Sequence, residues 1–235
     1  MGVFMNSSEN RKRIWEIDFF RGIALLLMIY FHVIFDMNEF FGYSVSYSSG
    51  LNYYIGKLSA ILFMLIAGIS CTLSGKNTKR AVKILAVAFL ITIVSYLYNP
   101  QYSIKFGILH FMGVCILLYP LFKKLNAYLL LVIGLCVLAL GRWFSTLEVD
   151  FDYLFPLGIT SGNFSSSDYY PLVPWISVFL FGIAVGKIFY SKKQSLFKFE
   201  LKENIISKVG RRTLLIYIVH QPVILAVLSL IEIIK

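Results

Sequence analysis

Two residues four apart, His32 and Asp36, interrupt an otherwise apolar run of this 235-residue chain, and their types suit acid–base chemistry. At that spacing on a helix they share a face, so the carboxylate can reach an imidazole nitrogen and fix its tautomer, which is half of a general-base arrangement. Asp18 and Arg21, three apart and nearer the start of the same run, share a face as well and are read as a structural ion pair close to a membrane surface. The other two histidines, His110 and His220, also fall inside apolar runs. His220 precedes Gln221-Pro222, where proline withdraws a backbone donor and leaves a carbonyl one turn back for another group to satisfy. An isolated ionisable group in hydrocarbon costs several kcal/mol, so each of these residues either marks a functional path or locks helices together.

The elements that must hold them are membrane spans. The chain is 58% hydrophobic and 14% charged, and its mean hydropathy is +0.76. Those values make lipid, not water, the solvent of most of the chain. A span needs about 20 mainly apolar residues. Seven segments qualify, near 17–37, 53–74, 81–98, 104–122, 126–143, 172–190 and 213–233, with Lys123-Lys124-Leu125 as a tight helical hairpin. The expected fold is all-α: one polytopic helix bundle of about seven transmembrane helices, with residues 1–235 as a single domain. Met1–Asn10 is polar and precedes Arg11-Lys12-Arg13, so no cleavable leader is expected and the first run stays as a span. Cys71, Cys115 and Cys136 lie in apolar runs and read as small buried hydrophobes, with neither a disulfide nor a metal implied.

Lysines and arginines concentrate in alternate loops: three in the N-terminal arm, four at 75–83, two at 123–124 and eight at 187–212, against Lys57, Lys105, Arg142 and Lys235 on the other side. Cytoplasmic loops are enriched in cations, which predicts a cytoplasmic N-terminus, an external C-terminus and an odd number of spans. The net charge of +10 is therefore a topology signal and does not call for nucleic acid. Eleven residues of helix place His32 ~17 Å beyond Arg21, toward the outside, and the same reckoning sets His110 level with His32 and His220 nearer Arg21. The 144–171 loop, with Asp168, Tyr169 and Tyr170, either covers an outward-facing cavity or is a plain connector with interfacial tyrosines. Pro171, Pro174 and Trp175 suit a helix start and an interfacial anchor. The 187–212 cations serve topology and anionic lipid, or hold the phosphates of a nucleotide-like donor.

The motif Arg13-Ile-Trp-Glu-Ile-Asp18-Phe-Phe-Arg21-Gly22-Ile-Ala with His32 after it resembles the opening of membrane-bound acyltransferases, a superfamily that includes acyltransferase-3 enzymes. With His32-Val-Ile-Phe-Asp36, Gly107-Ile-Leu-His110-Phe-Met-Gly113, Tyr170-Pro-Leu-Val-Pro174-Trp175 and Tyr217-Ile-Val-His220-Gln221-Pro222 following in order, the chain is most similar to bacterial members of the heparan-alpha-glucosaminide N-acetyltransferase family, over about residues 11 to 225. The resemblance implies a multi-pass protein of a bacterial cell membrane. It also implies transfer of an acetyl group from cytoplasmic acetyl-CoA to a sugar-type amine or hydroxyl on the far side, with a carbohydrate or glycolipid acceptor. The family's catalytic histidine maps to His32. On that reading His32, oriented by Asp36 and partnered by His110, is the base or a transient acyl carrier. Arg21, His220, Gln221, Arg211 and Arg212 would hold the CoA end, and Asp168, Tyr170 and Trp175 would meet the acceptor. A homo-oligomer is left open. The competing readings are a proton-coupled transporter, since His/Asp/Arg lines also relay protons, and a non-catalytic membrane scaffold.

Overall fold

The computed structural model describes residues 14–199 and 204–234. Eight α-helices are described: α1 (Trp15–Glu39), α2 (Gly50–Leu73), α3 (Asn77–Tyr98), α4 (Ile108–Phe122), α5 (Ala127–Phe144), α6 (Leu172–Phe189), α7 (Ile205–Arg211) and α8 (Thr213–Ile234). No strand occurs among the described residues; one bridge pairs Phe106 with Tyr169. Arg11, Lys12, Arg13, Lys202 and Lys235, which contribute to the charge count above, lie outside the described residues.

Six helices are long and apolar enough to cross a membrane, and α4 is a shorter apolar one. The protein is therefore a multi-pass membrane protein. The fourth expected segment differs in length, because helix begins at Ile108 and not at 104. The reason lies in the 145–171 loop: Tyr170 N–H donates to the Phe106 carbonyl at 2.9 Å, and Lys105 N–H donates to Ser166 Oγ at 3.1 Å. Those pairings hold 104–107 extended. At the start of α6, Val173 is likewise non-helical, as the residue before a proline tends to be.

Cross-helix contacts fix the directions. Ser59 Oγ donates to the Ala24 carbonyl at 2.9 Å and Arg21 Nη2 to Ser70 Oγ at 2.9 Å, so α2 runs antiparallel to α1. Thr92 against His110 with Leu85 against Gly113 sets α3 antiparallel to α4, and Gly134 against Phe181 with Gly141 against Pro174 does the same for α5 and α6. α2 and α6 run parallel. Their approach depends on Gly68, Gly182 and Gly186, since a Cβ at Gly68 would strike the Phe179 carbonyl and one at Gly182 the Leu65 carbonyl. Small residues matter here because lipid gives helices no hydrophobic reason to associate, leaving close backbone packing to do it. Half of the apolar window of α2 is buried, more than in any other of the six long helices, and Met64 of α2 joins Leu25, Phe111, Phe179 and Ile183 in the core.

Candidate functional site

α7 determines how α8 is placed. Its N-cap is Asn204, whose side chain accepts the Ser207 N–H at 2.8 Å and so supplies a partner for one orphan donor of the first turn. α7 then lies against α1 through two glycines: a Cβ at Gly22 would strike the Ile206 carbonyl, and one at Gly210 the Asp18 carbonyl. α8 follows at once and runs parallel to α1. His32 lies ten residues of continuous α1 beyond Gly22, a rise of about 15 Å, and α8, which starts at Thr213 after the break at Arg212, carries His220 to the same level in seven residues. Their ring centroids are 4.8 Å apart, edge to face.

This geometry corrects three expectations. His220 lies beside His32, not nearer Arg21, because only seven residues of α8 precede it, which sets the start of α8 level with about Leu25 and well beyond the beginning of α1. His32 makes no hydrogen bond to Asp36 among the described residues. Asp36 is fully buried, and both of its oxygens accept from Gln221 Nε2, at 2.8 and 2.9 Å, since α8 brings that amide directly against this face of α1. No hydrogen bond or ring contact joins His110 to His32 among the described residues. It sits between α3 and α4, stacked on Phe106 at 5.8 Å and edge-on to Phe89 at 5.2 Å, with Nε2 at 3.3 Å from Thr92 Oγ1. The Thr92 hydroxyl donates to the Ile104 carbonyl at 2.6 Å, so the His110 nitrogen supplies the hydrogen between the two side chains.

The tautomer of His220 follows from its partner. Nδ1 is 2.6 Å from the Tyr217 carbonyl, which can only accept, so Nδ1 carries the hydrogen and Nε2 keeps its lone pair. His220 is 8% exposed, and its Nε2 is buried without a hydrogen-bond partner among the described residues, as is Gln221 Oε1. The sequence reading gave Tyr217 no role, although its spacing of three from His220 places both on one face. Its ring is 5.2 Å from His220 and within electrostatic reach of Asp168 and Tyr170.

The 145–171 loop comes near Tyr217 through Asp168 and Tyr170. Asp168 Oδ2 accepts the Ile108 N–H at 2.9 Å, at the first turn of α4. Burial raises the Asp168 carboxyl to about 6, with that N–H pulling the other way. The Tyr170 hydroxyl is pushed up by burial and by the nearby carboxylate of Asp168. Tyr170 packs on Trp175 at 5.3 Å, and Lys57 Nζ stands 5.0 Å from the Trp175 ring. Lys57 is a further site neighbour that a count of loop cations could not single out.

At the end where α1 begins, the expected Asp18–Arg21 pair forms at 2.9 Å, and Arg211 Nε adds a second cation at 3.3 Å from the same carboxylate. Arg212 is exposed. Glu16 is fully buried and accepts the Leu196 N–H at 2.8 Å, which ties the connector after α6 to this end. The cysteines are free thiols; Cys71 and Cys115 are buried as expected, whereas Cys136 is exposed on the outer side of α5. An open apolar groove between the far halves of α1 and α8 is lined by Val33, Met37, Val223 and Ile224 among others, with Tyr43, whose hydroxyl donates to Glu232 at 3.4 Å, as its one lining residue that carries a polar group.

No curated protein and no solved structure matches the chain. A family profile does match, that of the heparan-alpha-glucosaminide N-acetyltransferase catalytic domain, over residues 13–222. That span contains the Asp18–Arg21 pair, the His32–His220 contact and the Asp36–Gln221 bond, and it is nearly the whole sequence: the chain belongs to the heparan-alpha-glucosaminide N-acetyltransferase catalytic family.

Proposed function

We propose that this protein is a membrane acetyltransferase that takes an acetyl group from acetyl-CoA at the cytoplasmic face and delivers it to a sugar-type amine or hydroxyl at the outer face. The observation that carries the reading is the contact of two imidazoles at 4.8 Å, ~17 Å along α1 from the Arg21 of a cationic cluster at the other end. Arg21, Arg211 and Arg212 are the groups for the anionic CoA end, and the positive-inside count is what supports reading that end as cytoplasmic. His32 meets the reacting acyl group at the far level. Asp36 and Gln221 hold one another and keep α1 and α8 in register there. Asp168, Tyr170 and Trp175 contact the acceptor, and His110 pins α3 to α4.

The test uses purified protein with acetyl-CoA and glucosamine, measuring acetylated product. His32→Ala is expected to lower turnover about 100-fold, the cost of losing a side chain that positions the reacting acyl group. Equal, robust turnover in both proteins removes His32 from the mechanism.

A further inference from the structure

A general base needs a lone pair on a known nitrogen, held in place and reachable by the proton it removes. His32 and His220 meet this condition unequally. The Asp36 carboxylate that could fix the His32 tautomer is occupied at both oxygens by Gln221, and His32 is only half-buried. His220 is fixed: its Nδ1–H is committed to the Tyr217 carbonyl at 2.6 Å, so its lone pair is confined to Nε2. That nitrogen is buried with no partner among the described residues, and a buried acceptor without a donor is destabilising. Gln221 Oε1, the next residue along, is a second buried acceptor in the same condition. The orphan Nε2 is suited to a molecule that brings an N–H or O–H group.

Resting on the acyl-transfer reading, we infer that His220 is the catalytic base, its Nε2 receiving the proton of the acceptor's hydroxyl or amine as that atom attacks the acyl carbonyl. In this step the acceptor O–H or N–H bond breaks toward Nε2 and the new C–O or C–N bond forms. Collapse of the tetrahedral adduct breaks the C–S bond of the thioester, and the sulfur leaves with the electron pair and takes the proton back from Nε2. No other reactant is needed, and His220 ends neutral. The role differs from holding the CoA end, which the sequence position alone suggested for this residue.

The experiment compares the full-length wild type with His220→Ala and His220→Asn. The asparagine amide can still donate to the Tyr217 carbonyl but offers no basic nitrogen, so it preserves the local bond and removes only the base. Readouts are the thermal midpoint, acetyl-CoA affinity by calorimetry, and acetyl transfer to glucosamine with and without added imidazole. The expected result is that both variants bind acetyl-CoA within about twofold of wild type and lose about 100-fold or more in kcat. Imidazole should restore at least about tenfold to His220→Ala. Transfer by His220→Asn within about threefold of wild type overturns the base role, as does loss of acetyl-CoA binding in the asparagine variant, which would return His220 to the donor site. A wild type that neither binds acetyl-CoA nor transfers the acetyl group overturns the acyl-transfer reading itself, and this inference with it.

Discussion

Asp168 joins the long loop to α4 through one carboxylate oxygen on the Ile108 N–H, and its protonation has a definite effect on stability. Its carboxyl sits at about 6 in the folded chain against an ordinary 3.8, because burial disfavours the charged form more than the N–H favours it. Between those two values the folded protein binds more protons than the unfolded chain, so stability falls as pH rises through the window and is level above it, by roughly 3 kcal/mol at most. Asp168→Asn keeps a carbonyl oxygen for Ile108 and has no charge to bury. The thermal midpoint of wild type is therefore expected to fall between pH 4.5 and 7 more steeply than that of the variant, and the variant should match or exceed wild type at pH 7. Parallel pH profiles would assign the shift to other groups. At this scale the sequence is legible where partners are local. Asp18 and Arg21 are three apart and pair as spacing demands. Asp36 has a suitable neighbour at four but binds Gln221, 185 residues on, and no local rule reaches that far.

The element that decides the site is the smallest, α7. Seven residues are too few to show a helical period, and those before it are cation-rich, so the sequence reads as a loop. Its effect is nevertheless quantitative, because the Gly22 and Gly210 contacts set where α8 starts and hence bring His220 level with His32. A side chain at Gly210 meets backbone on the other side, the Asp18 carbonyl and the Gly22 nitrogen, and backbone cannot swing away as a flexible side chain can. Gly210→Val is expected to destabilise by about 2–4 kcal/mol and to lower acetyl transfer further than stability alone explains, since the two rings part. Gly162→Ala, with nothing within 4 Å of the added carbon, is the control and should leave both unchanged. A Gly210→Val protein with the wild-type midpoint and full transfer would remove α7 as the spacer. The long helices were legible because about 20 apolar residues need no tertiary information to be recognised. The shortening of α4 was not, because it depends on a loop 60 residues later.

For the molecule as a whole, alternation of helix direction puts the turns after α2, α4 and α6 at the end where α1 begins, and the loops after α1, α3 and α5 at the other. The cation-rich loops of the sequence coincide with the first set, so the charge count proposes that this end faces the cytoplasm, while it says nothing of the contacts inside the bundle. The orientation predicts labelling from one side only. In a chain whose exposed Cys136 is replaced by serine, a cysteine at exposed Ser165 should react with a membrane-impermeant maleimide in intact cells, and one at exposed Lys193 only after permeabilisation. The buried Cys71 and Cys115 should stay silent in both. The reverse pattern would invert the bundle and, with it, the assignment of the Arg21 and Arg211 end to cytoplasmic acetyl-CoA. The same orientation requires that, in sealed vesicles, acetyl-CoA act only from the Lys193 side while acetylated product collects on the Ser165 side. Product collecting on the donor side would leave the imidazole pair a reaction centre but remove transfer across the bilayer.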